Sequence, residues 1–275
     1  MSGPIRAMAG WEYRNASRSR WVIGTAVAFA LLCLAVSLLG LRSLRELGLS
    51  GVGPASAALI NLGILLPALM GLLLGGNAIV AAREQGVLPM IAVQPVSRSS
   101  LVLGPFLGVS AALAVSVLLG FGVAAVVLSG VARASDVLPL TALVGSTLAV
   151  AVTCVAVGLG VSAVSRSRLQ ATSTAITLWV MLALGMDLVL AAAAPAVRMG
   201  PAGLLIAVVF NPLEAGRILA LLGSTPDGTA LGPFGAYLVE SFGSSGAAAI
   251  LVGSLVFWTM SPLALARRVL SRGDL

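Results

Sequence analysis

Few residues of this chain could carry out chemistry, and Asp187 is the clearest candidate. It lies in the apolar stretch Ala171–Ala194, and an ionisable group inside a predicted membrane segment indicates a function by default. The preceding Gly185-Met186 gives the run the form of half an aspartyl dyad, but no other predicted membrane segment contains an Asp to share the proton. Asp187 is therefore a translocation candidate. The alternative is an acid near the outer interface, satisfied by a neighbouring helix or by water.

Two methionines near this acid are the candidate metal ligands. Met181 and Met186 carry thioether sulfurs, which suit Cu(I). Their five-residue spacing does not place both on one helix face, and Met is also a common packing residue. Cys33 and Cys154 have no CxxC spacing, so we expect them to be small apolar residues inside membrane segments.

The absence of two residue types excludes several enzyme classes. The chain contains no histidine, which removes Ser-His-Asp catalysis and HExxH zinc sites. It contains no lysine either, so all 16 basic residues are arginine and a Gly-x-x-x-x-Gly-Lys phosphate loop cannot form. We expect no enzyme activity and no ATP binding in this chain. Any ATP-driven step then needs a separate protein.

Composition predicts an all-α polytopic membrane protein. The chain is 59% hydrophobic and 9% charged, with a mean hydropathy of +1.09, far from the values of soluble domains. A membrane-crossing helix needs roughly 20 mostly apolar residues. Six stretches have that character: Trp21–Leu41, Ala58–Ala82, Leu101–Ser129, Val137–Val164, Ala171–Ala194 and Ala247–Leu265.

The arginines predict the orientation of these six spans. With the N-terminus inside, eleven arginines fall on the cytoplasmic side: Arg6, Arg14, Arg18, Arg20, Arg83, Arg98, Arg166, Arg168, Arg267, Arg268 and Arg272. The other five fall outside, and such a bias in short loops sets topology. We expect a multi-pass protein of the inner (cytoplasmic) membrane with both termini in the cytoplasm. The net charge of +7 is then a topology signal, and no nucleic-acid partner is expected.

The N-terminal residues 1–20 predict an interfacial helix. Within Ile5–Arg20 an apolar arc faces Arg14 and Arg18 on the opposite side, which is typical of a helix lying along the bilayer surface. Glu12 lies on the apolar arc, so we expect it to pair with an arginine or to face another subunit. The alternative is a basic flank that only fixes topology.

A region at 195–246 is predicted to lie at the outer face. Gly203–Phe210 and Leu213–Leu222 are apolar but too short to cross a bilayer, and Asn211-Pro212 separates them. We expect two short broken helices, with Glu214 and Arg217 paired at i and i+3, followed by a loop over Thr225–Ser245. The alternative, a seventh span, would place Asn-Pro and both charges in hydrocarbon.

The segment 83–98 joins the second and third predicted spans. Val87, Leu88 and Ile91 predict a small surface helix stopped by Pro95. The segment reads Glu84-x-Gly86-x-Leu88-x-x-Ile91-x-x-x-Pro95-x-Ser97-Arg98. This pattern resembles the coupling-helix loop of the ABC-2 type transporter permeases. The resemblance covers nearly the whole chain, so 1–275 is read as a single ABC-2 type transmembrane domain.

The resemblance implies a dimer of permeases on two cytoplasmic ATPase subunits. ATP and Mg would bind in the partner ATPase, and this chain would bind no cofactor. The implied coupling residues are Glu84, Gly86, Leu88, Ile91, Pro95, Ser97 and Arg98. Arg166 and Arg168, in the next cytoplasmic loop, are a candidate second contact, or simple positive-inside anchors.

A narrower resemblance concerns Phe210-Asn211-Pro212-x-Glu214-x-x-Arg217. A group of ABC-2 permeases with a similar motif serves copper-site assembly of nitrous oxide reductase. In that reading Asn211, Pro212, Glu214 and Arg217 form a gate or meet a secreted outer-face protein. Two alternatives stay open: a general exporter of a hydrophobic or lipid-linked compound, and a mechanical transducer that moves nothing across the bilayer.

Two glycine pairs could mark a subunit interface. Gly71-x-x-x-Gly75 and Gly104-x-x-x-Gly108 let helix backbones approach closely. With 32 glycines in the chain, such spacings also arise by chance.

Overall fold

The computed structural model describes residues 3–19, 22–24, 26–35, 54–86, 97–128, 137–193, 200–225 and 227–272. Every regular element within these ranges is helical. The helices are α1 (Gly3–Arg18), α2 (Val22–Ala35), α3 (Pro54–Glu84), α4 (Arg98–Leu128), α5 (Val137–Val164), α6 (Arg168–Ala193), α7 (Pro201–Val209), α8 (Pro212–Ser224) and α9 (Gly232–Arg272), with one 3-10 turn at Thr229–Leu231. The predicted all-α class is confirmed.

Four helical stretches of the described residues are long and apolar enough to cross a membrane. They are Ile60–Glu84, Ser99–Val126, Pro139–Val164 and Thr229–Ser271. Two bent pairs raise the number to six if each is one span: α1 with α2, bent by 64°, and α7 with α8, bent by 115°. The protein is therefore a multi-pass membrane protein with four to six candidate spans. Helix α6 covers the predicted fifth span but is not among these candidates, whereas the α7–α8 pair was not predicted to be a span.

The first glycine pair packs α3 against α5 within this chain. A Cβ added at Gly71 would lie 2.7 Å from the carbonyl oxygen of Ala151, and Gly75 faces the backbone of Val155. Gly158 of α5 returns the contact against Leu72. Because these glycines are used inside one chain, the idea that Gly71 and Gly75 mark a subunit interface is wrong.

The second glycine pair seats α1 on α4. A Cβ at Gly104 would lie 2.6 Å from the Cβ of Met8, and one at Gly108 would lie 2.7 Å from the Cβ of Glu12. The subunit-interface hypothesis is therefore wrong for this pair as well. The glycines create the space in which α1 lies directly on the backbone of α4.

Glu12 is buried by this contact, at 7% exposure. Its Oε2 has no hydrogen-bond partner among the described residues. Burial raises the pKa of Glu12 to about 7, and a hydrogen bond from the Asn15 side chain offsets part of that rise. We expected Glu12 to pair with an arginine or to face a second subunit, whereas in the structure it packs against α4 of the same chain.

The region before the last span differs from the prediction. The loop expected over Thr225–Ser245 is largely helix, since α9 begins at Gly232 and runs to Arg272. A bend at Gly243, with φ of 71°, divides α9 into two parts. Glycine, serine and proline are typical of loops, but here they permit a bent helix that begins well before the apolar run.

Candidate functional site

Arg83, the next-to-last residue of α3, caps the end of α5. Its guanidinium donates to the carbonyl oxygens of Ser165 at 2.9 Å and Ala163 at 3.5 Å. Carbonyls at a helix C-terminus lack intrahelical partners and carry partial negative charge. A cation at this position therefore satisfies them and joins α3 to α5.

Glu84, one residue later, caps the beginning of α6. Its Oε1 accepts the backbone N–H of Arg168 at 2.8 Å, and its Oε2 lies 3.1 Å from Nε of the same residue. A carboxylate is favourable at a helix N-terminus, where the N–H groups are unpaired. The two consecutive residues at the end of α3 thus bind two different helix ends. The cation Arg83 binds the negative C-terminus of α5, and the anion Glu84 binds the positive N-terminus of α6.

Local capping completes the start of α6. The Ser167 hydroxyl accepts the N–H of Gln170 at 3.2 Å, and the Gln170 side chain accepts the N–H of Arg166 at 2.9 Å. Ser-x-x-Gln is the spacing of a capping box. That signal is present in the sequence and could have placed the start of α6 before the structure was known.

Further contacts fasten α3 to its neighbours above these caps. The N–H groups of Ile79 and Val80 lie 3.1 and 2.9 Å from the Ser162 hydroxyl of α5. Asn77 donates to the Thr172 hydroxyl of α6 at 3.2 Å. The end of α3, the end of α5 and the start of α6 therefore form one bonded unit.

The predicted coupling residues are only partly described. Gly86 ends the turn after α3 with φ of 70°, a left-handed conformation that favours glycine. The Ser97 hydroxyl accepts the N–H of Ser100 at 3.3 Å and so caps α4, which begins at Arg98. Leu88, Ile91 and Pro95 lie outside the described residues, as does the side chain of Arg98.

The structure shows the predicted break between α7 and α8. Asn211 caps α8 by accepting the N–H of Leu213 at 3.0 Å, and it donates to the carbonyl oxygen of Leu182 in α6 at 2.8 Å. The carbonyl of Val209, which the break leaves free of α8, accepts from Ser254 and Trp258 of α9 at 2.7 and 3.2 Å. The backbone groups opened by Pro212 are thus satisfied by neighbouring helices, as a break inside an apolar environment requires.

The predicted pair of Glu214 with Arg217 is confirmed. Nη1 lies 2.6 Å from Oε1, and the side chains are 10% and 19% exposed. The Arg217 Nε is buried and has no hydrogen-bond partner among the described residues. A buried ion pair with an unused donor is costly to maintain, so this pair is a candidate for function rather than a simple stabilising contact.

This pair lies well away from the capped end of the bundle. Leu182, the partner of Asn211, is 14 residues beyond the start of α6 at Arg168, which is about 21 Å along the helix. From there α8 follows α5, with Gly216 against Val150 and Gly223 against Ala142. Helix α8 therefore begins at depth in the bundle and continues away from the capped end.

The remaining candidates are not brought together by the described residues. Met181 is 67% exposed on α6, whereas the side chains of Met186 and Asp187 lie outside the description. Within the described part of the chain, His, Cys, Asp and Glu form no group of three that could hold a metal ion. Cys33 and Cys154 are both buried with free thiols, in keeping with the apolar role predicted for them.

Comparison with known proteins adds to this geometry. The family described as ABC-2 family transporter protein matches residues 6–275. A probable ABC transporter permease protein NosY from Stutzerimonas stutzeri is 34% identical over 118 residues, which is 43% of each chain. A protein of the same description from Pseudomonas aeruginosa is 35% identical over 121 residues, or 44% of each chain. The matched region thus spans less than half the length of either relative.

Proposed function

The chain belongs to the ABC-2 family of transporter proteins, and we propose that it is a NosY-like permease subunit driven by a separate ATPase. In this proposal it crosses the inner (cytoplasmic) membrane six times with both termini in the cytoplasm. Helix α1 lies along the membrane surface before the first span. The arginines at the end of α3 and around the start of α6 then face the cytoplasm, in agreement with the positive-inside rule.

The cap formed by Glu84 on Arg168 carries the proposal. The segment 83–98 would receive the ATPase, and its first two residues are fastened to α5 and α6. A displacement of the segment is therefore passed to three helices at once. Leu88 and Ile91 would fill an apolar groove of the ATPase. Ser97 caps α4 and Arg98 begins it, so the movement would extend to a fourth helix.

The ATPase subunits would hold ATP and Mg, and two copies of the permease would bind two of them. Arg166 supplies a second cytoplasmic contact, since its side chain is exposed beside the start of α6. Arg168 is already engaged by Glu84, so its contribution is to hold the base of the coupling segment. This division separates a docking arginine from a positioning arginine.

Movement at the cytoplasmic end would reach the broken helices through α5. Helix α5 is tied to α3 by Arg83 at one end and packs on α8 through Gly216 and Gly223 near the other. Asn211 and Glu214 therefore lie at the far end of a continuous set of contacts. This arrangement favours action on an outer-face partner or gate at Asn211–Arg217.

The finer function that we propose is service to copper-site assembly of nitrous oxide reductase. The likeness to NosY permeases and the motif at Asn211–Arg217 support it. The α5 to α8 contacts also favour the mechanical transducer, in which motion rather than a substrate crosses the bilayer. A general exporter of a hydrophobic or lipid-linked compound is the remaining alternative.

Affinity purification of the chain from its native host in mild detergent, with mass spectrometry of bound proteins, tests the proposal. An ATPase is the expected companion, and an additional secreted protein would support the outer-face role. An ATPase alone would favour an exporter. Consistent recovery without any ATPase would overturn the permease proposal.

A further inference from the structure

A cavity of about 640 Å³ opens where the start of α4 meets the end of α9. Its volume is in the range of small-ligand sites, roughly 300–1,000 Å³. The described residues that line it are Ser97, Ser99, Ala264, Arg267, Arg268 and Ser271. No part of the proposed coupling or outer-face function uses Ala264 or the three residues from α9 that follow it.

The lining of this cavity is rich in hydrogen-bond donors and positive charge. It contains two guanidiniums and three hydroxyls, with no acidic residue among its described members. The ion pairs of the described residues involve Arg168 and Arg217, so Arg267 and Arg268 have no such partner there. Helix α4 begins at the cavity and adds the partial positive charge of its N-terminus.

We propose that this cavity binds a phosphate-bearing anion, and that the headgroup of an anionic phospholipid is its principal source. Guanidinium forks and serine hydroxyls are the side chains that bind phosphate oxygens best. The apolar span Ser99–Val126 begins at the cavity wall, so the site lies at the level where headgroups meet hydrocarbon. A basic pocket between membrane helices at that level is suited to an anionic lipid.

The site goes beyond the proposed function, because it needs neither an ATPase nor a transported substrate. Only the leaflet depends on the proposed topology, which assigns the cytoplasmic one. Occupancy would link the start of α4 to the end of α9 through a shared anion. The bound anion would then hold the two helices together at a place where the arginines of α9 and the positive N-terminal end of α4 otherwise repel each other.

The test compares lipid retention by the purified full-length chain. Native mass spectrometry in neutral detergent would measure bound phosphatidylglycerol against phosphatidylcholine. Arg267→Gln with Arg268→Gln should lower phosphatidylglycerol retention roughly tenfold or more. Arg6→Gln with Arg18→Gln is the matched control, since it removes two exposed arginines of α1 and the same charge. This control should retain the lipid as the unchanged chain does.

A second arm separates the lipid from a soluble source. Inorganic phosphate added to delipidated protein in detergent should raise the thermal unfolding temperature less than phosphatidylglycerol does. Stabilisation by phosphate alone would assign the site to a soluble phosphate compound and would overturn the lipid source. Equal lipid retention by the Arg267/Arg268 and Arg6/Arg18 variants would overturn the site itself.

Milder variants guard against misfolding. Ser99→Ala with Ser271→Ala removes two hydroxyls and leaves both charges, so it should weaken retention by a smaller factor. Arg267→Lys with Arg268→Lys keeps the charge and loses the guanidinium fork, and it should restore part of the retention. Retention unchanged in the serine variant and fully restored by lysine would contradict a built phosphate site, because only general positive charge would then matter.

Discussion

Glu84 holds Arg168 with both of its carboxylate oxygens, one on the backbone N–H at 2.8 Å and one on Nε at 3.1 Å. The two residues are 84 positions apart in the chain and join the end of α3 to the start of α6. The contact therefore attaches the N-terminal end of the segment 83–98 to α6. A force on that segment would reach α6 through this junction.

Changes at this junction should uncouple ATP hydrolysis from the permease and leave it folded. Glu84→Ala loses both the cap and the ion pair, whereas Glu84→Gln and Arg168→Gln lose only the ion pair. We expect the largest loss of permease-dependent ATPase activity in Glu84→Ala and smaller, similar losses in the other two. The measurement is ATPase activity of the reconstituted complex.

The exposed acid Glu240 supplies the control for these variants, as Glu240→Gln changes the same charge on α9. The unfolding temperatures of Glu84→Gln, Arg168→Gln and Glu240→Gln should stay close to that of the unchanged chain, because an exposed ion pair contributes only ~0.2–1 kcal/mol. Glu84→Ala should fall slightly further, since a lost helix cap costs roughly 0.5–2 kcal/mol. Normal coupling in Glu84→Ala would show that the junction does not transmit force.

The orientation predicts which engineered cysteines a membrane-impermeant reagent can reach. Ser97→Cys and Ser271→Cys should react only from the cytoplasmic side, since both positions are exposed at the end that carries the arginines. The natural residues Cys33 and Cys154 are buried, so the unchanged chain gives the background. Labelling of Ser271→Cys from outside would revive the seven-span arrangement.

Local signals in the sequence predicted many of the elements but not their partners. Asn211-Pro212 predicts a helix break, because Asn can cap the start of a new helix and Pro cannot continue the preceding one. The structure contains that break. Glu84 stood out as a charge beside an apolar run, yet its partner Arg168 depends on tertiary packing. Nothing in the spacing of the two residues indicates that their helix ends meet.

The glycines show why the predicted subunit interface and the predicted loop differ from the structure. Gly71 and Gly104 lie in pairs that permit close helix contact, but the sequence does not say whether the second helix belongs to the same chain. In the structure α5 and α1 of this chain fill both sites. At Gly243 the composition indicated a loop, whereas the structure has a bent helix whose turn uses the positive φ that glycine allows.

Glu12 should make stability depend on pH. Its pKa is about 7 when folded, against an ordinary 4.5, so the folded chain binds the extra proton between these values. The contribution of Glu12 to stability is then fully present below pH 4.5 and is lost as pH rises through about 7, by an amount on the order of 3 kcal/mol. Thermal unfolding in detergent at a series of pH values measures this slope.

Glu12→Gln should remove that slope and raise the unfolding temperature above pH 7. Glu240→Gln again provides the control, because it makes the same change of charge at an exposed acid. An identical profile for the unchanged chain and Glu12→Gln would contradict burial of Glu12 between α1 and α4.

The Glu214 and Arg217 pair should respond differently to single and double changes. Glu214→Gln leaves a buried guanidinium without its counter-charge, and such changes cost about 3–5 kcal/mol. Glu214→Gln with Arg217→Gln removes both charges and should recover much of that stability, though not the activity. Unfolding temperatures of the two variants would decide this, and equal values would argue against a buried pair at this position.

Contact between the segment 83–98 and an ATPase is the central claim, and site-specific photo-crosslinking measures it directly. A photoreactive amino acid would replace Ile91 in the coupling segment or, as the control, the exposed Ala230 beyond the opposite end of the bundle. The account predicts a crosslink from position 91 to a cytoplasmic ATPase and none from position 230. An ATPase that co-purifies but crosslinks only from position 230, or from neither position, would contradict it.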